Sequence, residues 1–91
     1  MDLGIRNKIA LVSASSQGLG KAAAFSLANE GVNLSICSRD EKSIKATADE
    51  IRKSTGVNVF SIAADVSKPL DIDNVVNSVI KEYGKIDILI N

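Results

Sequence analysis

Residues 13–20 read Ser13-Ala14-Ser15-Ser16-Gln17-Gly18-Leu19-Gly20, or SASSQGLG. An apolar run, IALV at 9–12, precedes this stretch, and KAAAFSLANE at 21–30 follows it. The first is too short for an ordinary helix and reads as a strand; the second reads as a helix. A turn of small, hydroxyl-bearing residues with two glycines therefore joins strand to helix, as at the start of a βαβ unit.

Working outward, further short apolar runs lie at 32–37 (VNLSIC), 57–63 (VNVFSIA) and 86–90 (IDILI). Helical spacing fills the gaps: Leu19, Ala23 and Leu27; Ile44, Ala48 and Ile51; Ile72, Val75, Val76, Val79 and Ile80. The order is β-α-β-α-β-α-β. Gly31, Gly56 and Gly84 each follow a helical segment where a left-handed residue ends a helix, and Asp40 and Ser67 stand where N-caps are expected. Strands that alternate with helices need crossovers, so the sheet is expected to be parallel and covered on both faces. Right-handed crossovers then give an α/β, Rossmann-like, doubly wound half with strand order 3-2-1-4. No internal repeat, low-complexity tract or linker interrupts residues 1–91.

Composition narrows the function classes. A chain of 91 residues allows one domain. Its 11 basic residues balance 11 acidic ones and aromatics make up only 3%, which argues against a nucleic-acid partner. The single cysteine, Cys37, cannot form an internal disulfide and reads as a small buried hydrophobe within LSIC. The start MDLGIRNK does not resemble a signal peptide, and no run approaches the ~18 apolar residues of a membrane span. A soluble, cytoplasmic protein is expected.

In an open parallel sheet, ligands bind beyond the carboxyl ends of the strands where the strand order reverses, which is where SASSQGLG falls. The N-terminus of the next helix offers unpaired N–H groups and a partial positive charge to a pyrophosphate. Gly18 and Gly20 let the phosphate approach the backbone, and Ala23 lets helix and strand pack closely, completing G-x-G-x-x-A. The tip of the second strand then meets the adenosine ribose. Counting ~20 residues past the glycines reaches Asp40, which suggests a free 2′-hydroxyl and NAD. By strand position the tip is Ser38, with no carboxylate, and Arg39 follows with a guanidinium suited to a phosphate. Position favours NADP(H) over NAD(H) and makes Asp40 an N-cap. A plain surface arginine is the alternative.

These residues resemble the short-chain dehydrogenase/reductase family over the whole chain. The family's Thr-Gly-x-x-x-Gly-x-Gly falls on Ser13 to Gly20, so the resemblance adds Ser13, Ser15, Ser16, Gln17 and Leu19 to the cofactor turn. Asp65-Val66 looks like its adenine-contacting Asp-Val pair, and the ending Asp87-Ile88-Leu89-Ile90-Asn91 looks like the approach to its Asn-Asn-Ala-Gly motif, which begins at Asn91. Two departures matter. Ala14 replaces the first glycine, which requires a backbone outside the φ > 0 region there. Gln17 stands where many NADP-preferring relatives carry a basic residue, so a 2′-phosphate relies on Arg39, helped by Ser38 and Ser16. The 3-oxoacyl carrier-protein reductase type is the nearest flavour. The resemblance implies hydride transfer between a nicotinamide cofactor and a small carbonyl or alcohol, in a full-length homo-oligomer.

Family members use a Tyr-x-x-x-Lys pair and a serine for that chemistry. The only tyrosine here, Tyr83, is followed by Gly84, Lys85, Ile86 and Asp87, so no such pair exists, and Tyr83 is expected to end the third helix and pack there. The 91 residues thus read as a partial cofactor-binding domain whose catalytic half is absent, inactive alone and carrying no catalytic residue. A stand-alone, non-catalytic nucleotide-binding or interaction module is the alternative. A receiver domain needs an aspartate where Ser13 ends the first strand, and a methyltransferase of the S-adenosylmethionine type needs an acid where Ser38 ends the second.

Overall fold

The computed structural model describes residues 4–13 and 18–90. Four strands, β1 (Ile9–Ser13), β2 (Asn33–Ser38), β3 (Val59–Ala63) and β4 (Ile88–Ile90), alternate with three helices, α1 (Gly18–Asn29), α2 (Glu41–Thr55) and α3 (Pro69–Tyr83). All pairings are parallel and the sheet order is β3-β2-β1-β4, the expected 3-2-1-4.

The register explains why the strand runs are apolar without alternation. β1 is central and every one of its residues is buried. Ala10 and Val12 join Leu34, Ile36 and Val59 under α1 and α2, while Ile9, Leu11 and Cys37 pack on the other face under Val75 and Val79 of α3. A strand covered on both faces has no polar side to show. Cys37 is accordingly buried, as its sequence setting suggests.

Helix ends follow local chemistry. The Asp40 side chain accepts the Ser43 N–H at 3.1 Å and caps α2. Gly56 ends that helix at φ 80°, a left-handed conformation open to glycine, and its N–H reaches the Arg52 carbonyl at 2.9 Å. Gly31 and Gly84 take the same conformation after α1 and α3.

Three sequence expectations shift here. The N-cap of α3 is Lys68, not Ser67, because Pro69 occupies the first helical turn, where its missing N–H costs nothing, and sets the start one residue later. Ser67 instead bonds Asp65. In α1 the fully buried residues are Ala24 and Ala28, with Ala23 and Leu27 half-buried beside them. Small side chains face the sheet directly because they let the helix lie close to it. On α3, Val75 and Val79 are buried, whereas Ile72 and Ile80 of the same apolar set are 43% and 47% exposed. They lie on the flank of the only described helix on that face.

Candidate functional site

Parallel strands put all their carboxyl ends on one rim. Ser13 pairs with Cys37, Ser38 with Ala63, and Val12 with Ile90, so the tips of β1, β2, β3 and β4 converge there. The Ala64 N–H donates to the Ser38 carbonyl at 2.9 Å, which carries Asp65 and Val66 to the same rim. The order reverses between β2 and β4 around β1, and α1 starts from this point with Gly18 and Leu19 as its first residues and Gly20 half-buried in its first turn. That turn contains no acidic residue, whereas α2 and α3 carry Glu41 and Asp71 in theirs. Within the described turn, no acidic side chain offsets the partial positive charge of the α1 N-terminus.

Ser13 is buried, and its hydroxyl donates to the Ile90 carbonyl at 3.4 Å, tying the tip of β1 to that of β4. Ser38 Oγ accepts the Asp40 N–H at 3.2 Å and so shapes the bend after β2. Between them Arg39 is exposed, and among the described residues no ion pair engages its guanidinium. A solvent-facing guanidinium fork beside a strand tip that lacks a carboxylate fits a phosphate ester. The Asp65 carboxylate accepts the Ser67 hydroxyl at 2.6 Å and the Ser67 N–H at 3.0 Å, which lowers its pKa below the usual 3.8, with the Arg39 charge adding to the effect. Val66 is 40% exposed, an apolar surface available to a planar ring. Ala14, Ser15, Ser16, Gln17 and Asn91 lie outside the described residues.

Tyr83 belongs to the other end of the sheet. Its hydroxyl donates to the Leu34 carbonyl at 2.8 Å, near the start of β2. At ~3.3 Å per residue, that is about 13 Å along the strand from Ser38. Burial pushes its pKa up to about 12, away from the range a proton-transfer group needs. A cavity of 430 Å³ lined by Arg52, Asn58, Val59, Phe60, Glu82 and Tyr83 opens at that same far end. Sequence reasoning did not find Asp71, whose carboxylate accepts the Asp65 N–H at 2.9 Å. An acid in a first helical turn reads simply as dipole compensation.

The family model described as short chain dehydrogenase matches residues 8–91. The chain is 37% identical over 90 residues to the short-chain dehydrogenase/reductase homolog YusS of Bacillus subtilis, covering 98% of this chain and 82% of that protein. It is 36% identical over 86 residues to the 3-oxoacyl-(acyl-carrier-protein) reductase FabG of Staphylococcus epidermidis, covering 93% of this chain and 35% of that one. Among solved structures, the L-sorbose reductase from Gluconobacter frateurii, complexed with NADPH and L-sorbose, superimposes with a TM-score of 0.95 at 37% identity, over 98% of this chain and 34% of that one. The chain spans about a third of the length of these last two proteins. Both NADPH-bound and NAD-bound structures share the fold. A sequence match running from the first strand to the last, joined to so close a superposition, means that the chain belongs to the short chain dehydrogenase family.

Proposed function

We propose that these residues are the NADP(H)-binding portion of an oxidoreductase that transfers hydride between the nicotinamide and a small carbonyl or alcohol substrate. The observation that carries the reading is the rim where the acid-free start of α1, the exposed Arg39 and the Asp65–Val66 loop meet. The bound cofactor supplies the hydride. Backbone N–H groups at Gly18 to Gly20 bind the pyrophosphate, Arg39 with Ser38 holds the 2′-phosphate, and Asp65 and Val66 border the adenine. Ser13 keeps the first and fourth strand tips together beneath them. Ser15, Ser16, Gln17, Leu19 and Asn91 complete the site on the family pattern.

In this reading the tyrosine and lysine that move the proton are carried by a segment outside these 91 residues, in keeping with reductases about three times as long. A second reading, a nucleotide-binding module without catalysis, is favoured by the similarity to the Bacillus subtilis homolog, of which these residues cover 82%. The two differ in turnover, not in binding.

The test is a fluorescence titration with NADPH and NADH on the wild type and Arg39→Asp. Loss of a charge-assisted phosphate contact should weaken NADPH by about tenfold or more. NADH should change much less. Equal weakening of both would remove Arg39 from the 2′-phosphate.

A further inference from the structure

The loop between β3 and α3 is held by two side chains that the proposed site does not use. Asp65 Oδ1 accepts both the N–H and the hydroxyl of Ser67, and the Asp65 N–H donates to Asp71 Oδ2 in the first turn of α3. One bond fixes the backbone of Asp65 and two engage its carboxylate. Arg39 is a neighbouring cation across the loops, which the bond from Ala64 to Ser38 joins, and its charge is felt at Asp65 together with that of Lys68. Yet among the described residues no ion pair joins Arg39 to Asp65.

A half-buried aspartate and an exposed arginine on adjacent loops attract each other, and a pair of this kind at the surface is weak but enough to shift a binding ratio severalfold. If Asp65 took Arg39, the guanidinium fork would be occupied and a second anion would stand beside the 2′-phosphate. NADPH would lose by both effects, whereas NADH, with a bare hydroxyl there, would lose little. We propose that Ser67 and Asp71 are positioning residues for cofactor choice, holding the Asp65 turn so that its carboxylate stays off Arg39 and the guanidinium remains open to a ribose phosphate. The inference rests on the reading of Arg39 given under the proposed function.

The experiment measures NADPH and NADH dissociation constants for the wild type, Arg39→Ala, Ser67→Ala, Asp71→Ala, Asp71→Asn and the double variant Asp65→Asn with Ser67→Ala, at low salt, with thermal melts alongside. Ser67→Ala and Asp71→Ala should lower the NADPH-over-NADH ratio by about threefold. Asp71→Asn keeps an acceptor for the Asp65 N–H and should keep the ratio. The double variant should restore it, because a neutral side chain at 65 cannot capture Arg39. If Asp71→Ala unfolds, Ser67→Ala on an exposed residue decides the matter. An unchanged ratio in Ser67→Ala, or a loss that Asp65→Asn does not reverse, overturns the inference and leaves the Arg39 reading standing. Should Arg39→Ala bind NADPH as the wild type does, the Arg39 reading itself fails and takes this inference with it.

Discussion

Asp87 and Ile9 bond each other twice. The Asp87 carboxylate accepts the Ile9 N–H at 2.9 Å, and the Asp87 N–H donates to the Ile9 carbonyl at 2.8 Å. This clasp starts the pairing of β1 with β4, whose paired register then runs from Ala10 with Ile88 to Val12 with Ile90. Lys85 lies 3.1 Å from the same carboxylate.

The clasp makes stability depend on acid. The Ile9 N–H, and then Lys85, hold the Asp87 pKa below its ordinary 3.8. A carboxylate whose folded pKa is depressed stabilises the fold fully above the unfolded value and loses that contribution as pH falls through the folded one. Asp87→Asn should therefore lower the urea midpoint at pH 7, and the gap to wild type should close below about pH 3.8, the ordinary value. Parallel midpoints across that range would mean that the charge at Asp87 does not support the seam.

Ser35 is fully buried on the α3 side of the sheet, and among the described residues its hydroxyl has no hydrogen-bond partner. Leaving such a group unsatisfied costs about 1–3 kcal/mol. Ser35→Ala should accordingly raise stability by about 1 kcal/mol or more. Denaturant unfolding checks this, and a destabilised variant would show that the hydroxyl is satisfied in solution.

Tyr83→Phe removes the bond to the Leu34 carbonyl and should cost about 1 kcal/mol. Since that bond lies at the opposite end of β2 from Ser38, NADPH affinity should not move. A variant of normal stability and weakened NADPH binding would bring Tyr83 into the site.

The sheet was legible because each strand is a short apolar run bounded by polar or glycine signals, and because parallel pairing buries both faces of β1. Asp40 was legible as a cap, since aspartate before a helical run has a local partner three residues on. Ser67 was not: the proline two residues later moved the helix start, and the hydroxyl turned to Asp65 instead. Asp71 and Ser35 were hidden for a related reason. Whether a side chain meets a backbone N–H six residues away, or meets nothing in the core, depends on packing that spacing does not encode. The end of β2 at Ser38, with Arg39 just beyond it, was legible because the strand ends where the apolar run stops.

Produced by themselves, the 91 residues should associate and reduce no carbonyl. Leu89 on β4 is 62% exposed, Ile72 and Ile80 of α3 are exposed, and the outer edge of β4 has no strand beside it among the described residues. Such an edge is a template for pairing with another chain. Light scattering should report species above the monomer, and Leu89→Lys should shift them downward. A monodisperse monomer would contradict this, as would NADPH consumption that survives removal of contaminating reductases.

The most direct measurement is amide hydrogen exchange by mass spectrometry with and without NADPH, which tolerates association. Peptides covering Ser13 to Gly20, Ser38 to Glu41 and Ala63 to Ser67 should gain protection, while those covering Arg52 to Phe60 and Ile80 to Ile86, around the far cavity, should not change. No protection anywhere, or protection confined to the Arg52 and Tyr83 end, would contradict a dinucleotide bound across the carboxyl ends of the strands.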